Sequence, residues 1–182
     1  MGRLIILGSA YAIPNENQEN THMAVVGEHG TVLIDTAGTP IVRLKQAGII
    51  LDDVTDLILT HFHPDHVSGM PPLLMGMWLL GRKKPLHIHG LRSTMEKAET
   101  MMSLYEWKSW PNFFPVQFHP VDEGELQLLL ENKDMKIVST PVRHLIPTIG
   151  LRIEFTASHK TIAYSCDTEP FDGVVTLAEG AD

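Results

Sequence analysis

Short apolar runs alternate with helix-like segments along this chain of 182 residues. Runs rich in Val, Ile and Leu that end at turn residues predict strands. They fall at 4–7, 23–26, 31–35, 56–60, 86–89, 116–119, 135–140, 150–156 and 161–165. Helical spacing predicts helices over 40–47, 72–80 and 93–105, and the first of these ends at Gly48. Helices interspersed among strands that mostly lack strict alternation predict an α/β fold in which helices cover sheets.

A cluster of histidines follows one of the predicted strands. Residues 60–66 read Thr-His-Phe-His-Pro-Asp-His, directly after the apolar run 57–59. Imidazole and carboxylate are ligands that zinc and neighbouring metals prefer. Because Pro64 prevents the strand from continuing through the histidines, we expect the ligands on a loop at its C-terminal end, where they can converge. A structural zinc would need four ligands, usually rich in thiolate, so the single cysteine favours a catalytic site.

Composition limits the compartment and the partners. No apolar stretch approaches the roughly 18 residues of a membrane span, and the apolar run at the N-terminus is shorter than a signal-peptide core. One cysteine excludes an internal disulfide and fits a reducing compartment, so we expect a cytoplasmic enzyme without a membrane partner. The net charge of −8 counts against a large RNA substrate, because grip on a phosphate backbone usually needs a basic face.

The histidine run has the form His-x-His-x-Asp-His, which resembles the signature of the metallo-β-lactamase superfamily. Asp35 at the end of a predicted strand, His144 in Thr-Pro-Val-Arg-His and Asp167 in Ser-Cys-Asp-Thr resemble further elements of that family. Gly-Met-Pro at 69–71 and Pro-Thr-Ile-Gly-Leu-Arg-Ile at 147–153 are closest to its ribonuclease Z and phosphodiesterase branch. The resemblance covers nearly the whole chain. It implies an αββα sandwich with the metals at one edge of the sheets.

The resemblance also implies a dinuclear centre with two divalent ions, expected to be zinc, with manganese and iron as alternatives. The first ion would bind three histidines, the second would bind Asp65 and His66, and Asp167 would bridge them. Asp65 is also the predicted catalytic carboxylate, which would orient or deprotonate the attacking hydroxide. Asp35 is expected to support a ligand histidine and not to bind metal itself. The full predicted ligand set is His61, His63, Asp65, His66, His144 and Asp167.

Several other residues have two interpretations. His87 and His89 share one strand face and are expected to be ordinary strand residues, with a supporting role at the site as the alternative. Cys166 is expected to be buried and not to bind metal. A second group of histidines is predicted to lie on the surface or in loops: His22, His29, His119 and His159. A group of aromatic residues would either line an apolar substrate pocket or pack onto the core: Trp107, Trp110, Phe113 and Phe114.

The resemblance predicts a metal-dependent hydrolase, foremost a phosphodiesterase that uses a metal-bound hydroxide. Alternatives are hydrolysis of a lactone, thioester or aryl sulfate, and a non-catalytic metal-binding module. Asp167 lies only 23 positions after His144, which leaves no room for a tRNA-gripping arm. We therefore expect a small phosphodiester or other ester as substrate, and not folded tRNA.

The end of the chain departs from the family pattern. Residues 1–182 are expected to form a single domain of this family that is incomplete at its C-terminus, because a further metal-binding histidine of this branch would lie beyond Asp182. The second metal would then have three protein ligands, and an uncovered sheet edge predicts a homo-oligomer.

Overall fold

The computed structural model describes residues 2–182, and the strands within them form two sheets. The first sheet contains, in spatial as well as chain order, Arg3–Gly8 (β1), His22–Val26 (β2), Thr31–Ile34 (β3), Val54–Ile58 (β4), Leu86–Leu91 (β5) and Val116–Val121 (β6). The second sheet contains Gln127–Glu131 (β7), Met135–Val142 (β8), Thr148–Phe155 (β9) and Thr161–Tyr164 (β10), in the order β10-β9-β8-β7.

The direction of the strands determines which edge of the first sheet carries the candidate site residues. Strands β3 to β6 run parallel to one another, whereas β1, β2 and the whole second sheet pair antiparallel. Parallel neighbours need long crossovers, and helices supply most of them here. Their carboxyl ends therefore meet at one edge, which carries Asp35 after β3 and His61 after β4. The helices are Pro40–Gln46 (α1), Pro64–Val67 (α2), Met70–Leu79 (α3), Arg92–Ser103 (α4) and Asp172–Ala178 (α5).

Two apolar cores separate four layers. One core lies between the first sheet and helices α1, α3 and α4, with Leu44, Leu74 and Met95 among its buried members. The other lies between the sheets, where Ile34 and Ile58 meet residues of β7, β8 and β9. Helix α5 packs on the outer face of β8, β9 and β10. This helix–sheet–sheet–helix order confirms the predicted αββα fold. Within the described range, no helix is long and apolar enough to cross a membrane.

All the predicted strands and helices are present, with ends shifted by at most two residues, but three elements were missed. Strand β7 begins beside Leu126, whose φ of 50° breaks any alternation, and most of its residues are exposed. Helix α5 contains Gly173 and the β-branched pair Val174 and Val175, which are weak helix formers. Tertiary packing supports it: a Cβ at residue 150 would lie 2.6 Å from Leu177 Cδ2, so glycine there allows the helix to approach the sheet.

The third missed element is helix α2, which corrects the expectation that the whole histidine run lies on a loop. Pro64 stands in the first turn of α2, where its missing N–H costs nothing and its fixed φ favours the helix. The proline therefore ends the loop and starts a helix. His61 and His63 lie on the loop as expected, whereas Asp65 and His66 lie on the helix.

Arg82 is a buried cation that ties the far end of the first sheet together. It is 2% exposed and its guanidinium donates to the carbonyl oxygens of Leu51, Val54, Lys84 and Pro85 at 2.7–2.9 Å. The carbonyls precede β4 and β5 or lie at the start of β4, so one side chain fixes the entry of two neighbouring strands.

We expect Arg82→Met to lower the free energy of unfolding by about 2–4 kcal/mol, because it leaves buried carbonyls without donors. Urea unfolding measured by circular dichroism would show it. Lys83→Met, at an exposed neighbouring position, is the matched control and should change stability by less than about 0.5 kcal/mol. Equal stability of the two variants would contradict this role for Arg82.

Candidate metal centre

Three separate segments of the chain meet at the carboxyl edge of the parallel strands. His61 and His63 follow β4, Asp65 and His66 open α2, His144 follows β8, and Asp167 follows β10. A hydrogen bond from the Ile149 amide to the Thr60 carbonyl, at 3.1 Å, joins the start of β9 to the histidine loop. The structure thus brings together every residue that the sequence analysis predicted as a ligand: His61, His63, Asp65, His66, His144 and Asp167.

Three histidines form the first group. His63 Nδ1 lies 3.1 Å from His61 Nε2 and 3.1 Å from His144 Nε2, and the three rings stand nearly perpendicular to one another. A tetrahedral zinc with bonds of about 2.0–2.1 Å needs its nitrogen ligands about 3.3–3.4 Å apart. The observed separation is within a few tenths of an ångström of that value, so this group fits a metal of that size.

The second group consists of Asp65, His66 and Asp167. His66 Nε2 lies 3.6 Å from Asp65 Oδ2 and 3.6 Å from Asp167 Oδ2. The same Asp167 oxygen lies 4.0 Å from His144 Nε2 in the first group. The carboxylate of Asp167 is therefore the side chain that faces both groups. The rings of His61 and His66 are 4.1 Å apart, so the two groups are direct neighbours.

The buried carboxylate of Asp35 orients the histidines through hydrogen bonds on the side away from the candidate ligand atoms. Asp35 is 0% exposed and accepts hydrogen bonds from the Thr60 amide at 2.8 Å, from the Thr60 hydroxyl at 2.8 Å and from His66 Nδ1 at 2.7 Å. Asp35 thus contacts a predicted ligand histidine, as expected. Since His66 donates through Nδ1, Nε2 is the nitrogen that faces Asp65 and Asp167.

Thr60 extends the same network to the first group. Its single hydroxyl proton goes to Asp35, so the oxygen accepts from His61 Nδ1 at 3.1 Å and from the Cys166 thiol at 3.1 Å. Nε2 of His61 is thereby also left free to bind. The sequence analysis missed this role for Thr60. The available signal was a hydroxyl residue immediately before the first histidine, at the end of a buried strand.

Cys166 is buried and keeps its proton. Burial, followed by the nearby Asp35 carboxylate, raises the pKa of the Cys166 thiol to about 12. Its sulfur lies 3.7 Å from His61 Nδ1, the nitrogen that already donates to Thr60. Cys166, His61 and His66 lie close enough to hold a metal. In the structure the thiol donates to the Thr60 hydroxyl oxygen. The expected burial of Cys166 is confirmed, and the expectation that it does not bind metal stays a prediction.

The pKa values of His61 and His66 are shifted in opposite directions. Burial, and then the neighbouring His66, lower the pKa of His61 to about 4. Burial would also lower the pKa of His66, but its hydrogen bond to Asp35 and the carboxylates of Asp35, Asp167 and Asp65 outweigh burial and raise it. His61 is therefore a neutral ligand-type imidazole at every pH above about 4.

Two of the six non-glycine residues with positive φ in the described range belong to the same network. Asp35 and Cys166 have φ values of 59° and 56°, in the left-handed region that residues with a Cβ rarely adopt. Each lies just after a strand, β3 and β10 respectively. Such strain persists where the surrounding contacts fix the conformation, and here it turns both side chains back toward Thr60.

A second set of histidines lies on the inter-sheet face of the first sheet, outside the two groups. His89 Nε2 lies 2.8 Å from Asp56, and His87 Nδ1 lies 2.9 Å from His119 Nε2. These residues therefore pair with one another, as ordinary strand histidines do. The expectation that His22 and His119 are surface or loop residues is wrong, since His22 is 0% exposed in β2 and His119 is half-buried in β6.

The aromatic residues of 107–115 pack onto the core. Trp107 and Phe114 are buried in the core beneath the helices, and Trp110 stacks on Trp78 with ring centres 5.0 Å apart. Of the two interpretations of this segment, the structure supports packing.

Comparison with known proteins identifies a family and a fold. The family model described as "Anti-Pycsar protein Apyc1" matches residues 2–179. The ribonuclease Z of Methanothermobacter thermautotrophicus is 25% identical over 228 residues, which cover 100% of this chain and 72% of the relative. Three further curated relatives, two named ribonuclease Z and one ribonuclease BN, are matched over only 46–49% of their length. The chain thus spans about half the length of several relatives that it matches.

Solved structures agree on the fold. The short form of human tRNase Z superposes with a TM-score of 0.80 at 19% identity, over 100% of this chain and 75% of the other. The metallo-β-lactamase fold protein YhfI of Bacillus subtilis gives 0.73 at 16% identity, over 100% and 68%. The predicted resemblance to the metallo-β-lactamase superfamily, in its ribonuclease Z-like branch, is confirmed.

The low pKa of His61 predicts how the metal-free protein responds to acid. Because its folded-state pKa of about 4 lies below the ordinary value of 6.5, the unfolded chain binds this proton more readily. Stability should therefore fall as the pH decreases from 6.5 toward 4. We expect His61→Gln to reduce the dependence of the free energy of unfolding on pH, measured by urea unfolding of EDTA-treated protein at several pH values. His159→Gln, at an exposed site, should retain this dependence; an identical dependence in all three proteins would contradict the assignment.

Proposed function

We propose that this chain, which belongs to the family described as "Anti-Pycsar protein Apyc1", is a metal-dependent hydrolase that cleaves small phosphodiesters. The convergence of three imidazole nitrogens beside the group of Asp65, His66 and Asp167 is the observation that carries the proposal. Relatives named ribonuclease Z support a phosphodiester as the bond that is broken. Water would add to phosphorus and the phosphorus–oxygen ester bond would break, which gives a phosphomonoester and an alcohol.

We propose the following ligand assignment. His61, His63 and His144 would hold one divalent ion, Asp65 and His66 a second, and Asp167 would be shared, because its Oδ2 faces both groups. Nitrogen and carboxylate donors suit zinc, and also manganese or iron. When bound, such a pair of ions acidifies water and stabilises the charge that builds up on the phosphoryl oxygens.

Asp65 would act on the attacking water, and Asp35 and Thr60 would orient the histidines. Asp65 keeps part of its side chain exposed, at 16%, while His66 beside it is buried. An accessible carboxylate next to the ligand groups can accept a proton from the attacking water and hold that water in line with phosphorus. Asp35 and Thr60 would fix the orientation of His66 and His61, so both present Nε2 without reorganisation during the reaction.

Removal of a ligand gives the direct test. We expect His63→Ala to lose most of one metal equivalent and to reduce hydrolysis of bis(p-nitrophenyl) phosphate by about a hundredfold or more. Loss of a ligand should exceed the 10–100-fold effect typical of residues that only support one. Metal content by plasma mass spectrometry and initial rates would be measured on the same samples.

His159→Ala is the matched control, because His159 is an exposed histidine in the connection between β9 and β10 and belongs to neither ligand group. It should keep both metal content and rate. Full metal content and wild-type turnover in His63→Ala would refute the ligand assignment.

Charge gives a second test, which concerns substrate size. With a net charge of −8 and only 14 basic residues, the chain has little with which to neutralise an RNA backbone. We expect weak binding to folded tRNA with a shallow salt dependence. Fluorescence anisotropy between about 50 and 200 mM KCl would measure it. Over that range, a protein with about 6–10 phosphate contacts loses about 10³–10⁵ in affinity. Tight binding with a steep slope would instead favour a tRNA-processing nuclease.

A further inference from the structure

An apolar cavity of about 420 Å³ lies beside the histidine loop. One wall is Phe62, and the other is the outer surface of α4 and the residue after it. Its remaining lining residues are Glu96, Lys97, Thr100, Met101 and Leu104. Ligand sites of small molecules commonly have volumes of about 300–1,000 Å³ and mostly apolar walls. The cavity is therefore large enough for a one- or two-ring group.

The position of Phe62 connects this cavity to the metal centre. Phe62 is the residue between His61 and His63, and consecutive Cα atoms are only about 3.8 Å apart. Its side chain is half-buried and packs against the core beneath α4, whereas the two histidines turn toward His144. Three consecutive residues thus supply two candidate metal ligands and one wall of an apolar cavity.

The opposite wall is formed by Met101 and Leu104, apolar residues that are not among the buried members of the core. Leu104 is 80% exposed, although it follows directly after a helix whose Met95, Ala98 and Met102 are buried. Met101 is a flexible side chain that adapts to different ligand shapes. Glu96 and Lys97 carry opposite charges, so the cavity has no net charge of its own and would select by shape and apolar area.

Resting on the proposed phosphodiesterase function, we propose that this cavity is the subsite for the organic group of the substrate. Phosphoesters with a flat aromatic substituent would then be preferred over those with a small alkyl group. The anionic phosphoryl group would lie at the histidines while the ring lies between Phe62 and Leu104. Phe62, Met101 and Leu104 would act as specificity residues and would take no part in the chemical step.

Non-hydrolysable ligands test this subsite without turnover. We would measure binding of 1-naphthylphosphonate, by its fluorescence, and of methylphosphonate, by competition, to the zinc-supplemented protein. The naphthyl ligand should bind at least about tenfold more tightly, because its ring removes apolar surface from water. Leu104→Ser and Met101→Ser should each lose most of that advantage and leave methylphosphonate binding unchanged.

Leu79→Ser is the matched control, since Leu79 is another exposed leucine, at 67%, at the end of α3 and outside the cavity. Equal naphthyl binding by Leu104→Ser and Leu79→Ser, or no preference for the naphthyl ligand in the unaltered protein, would overturn the inference. So would a decrease in solution mass on Leu104→Ser, which would show that a second copy of the chain covers this surface.

Kinetics separate the inference from the function on which it rests. With bis(p-nitrophenyl) phosphate, Leu104→Ser should raise KM about tenfold and leave kcat unchanged, because the leaving group and the ligands are the same. Normal hydrolysis with an unchanged KM would refute the subsite and keep the phosphodiesterase. Naphthyl binding that depends on Leu104, without hydrolysis of any phosphodiester, would keep the subsite and refute the phosphodiesterase.

Discussion

The buried carboxylate of Asp35 is the constraint on which the candidate site depends. A fully buried charge is costly unless it is hydrogen-bonded, and Asp35 meets that cost with the amide and hydroxyl of Thr60 and with His66. Each of these bonds also has a directional effect, because it fixes which nitrogen of His66 and, through Thr60, of His61 carries the proton. One carboxylate therefore sets the orientation of one histidine in each of the two groups.

The architecture explains why such a network forms at this place. Asp35 and Thr60 stand at the carboxyl ends of the adjacent parallel strands β3 and β4, so their side chains reach each other across one strand spacing. At the far end of the same strands, Arg82 fixes the backbone before β4 and β5. The strand that carries the histidine loop is thus held at both ends. The positions of the candidate ligands in the histidine run are therefore fixed by rigid elements, and only the short loop between β4 and α2 is irregular.

Sequence patterns predicted the α/β class and a metal site at the histidine run, because both follow from local signals. The αββα order and the inclusion of His144 and Asp167 came from the family resemblance. The order of strands and helices follows from apolar runs, and the spacing of His61, His63 and Asp65 follows from the loop that they share. Elements that depend on tertiary packing were not predictable in this way. Helix α5 has poor intrinsic propensity and is held by its contact with the sheet near Gly150, and β7 lacks strand-like alternation. Pro64 was misinterpreted because a residue that ends a strand can equally begin a helix.

The way the protein accommodates His61 indicates what the site is built to receive. Burial lowers the pKa of His61 to about 4, so this imidazole is neutral near pH 7. His63 Nδ1 lies 3.1 Å from His61 Nε2 and 3.1 Å from His144 Nε2, which is close to the spacing of nitrogen ligands around a tetrahedral zinc. The packing of the sheets, the strained backbone at Asp35 and Cys166, and the Thr60 bridge all hold this arrangement in place. The fold therefore holds three imidazole nitrogens in a geometry that fits a divalent cation, and this supports metal-dependent chemistry independently of any resemblance.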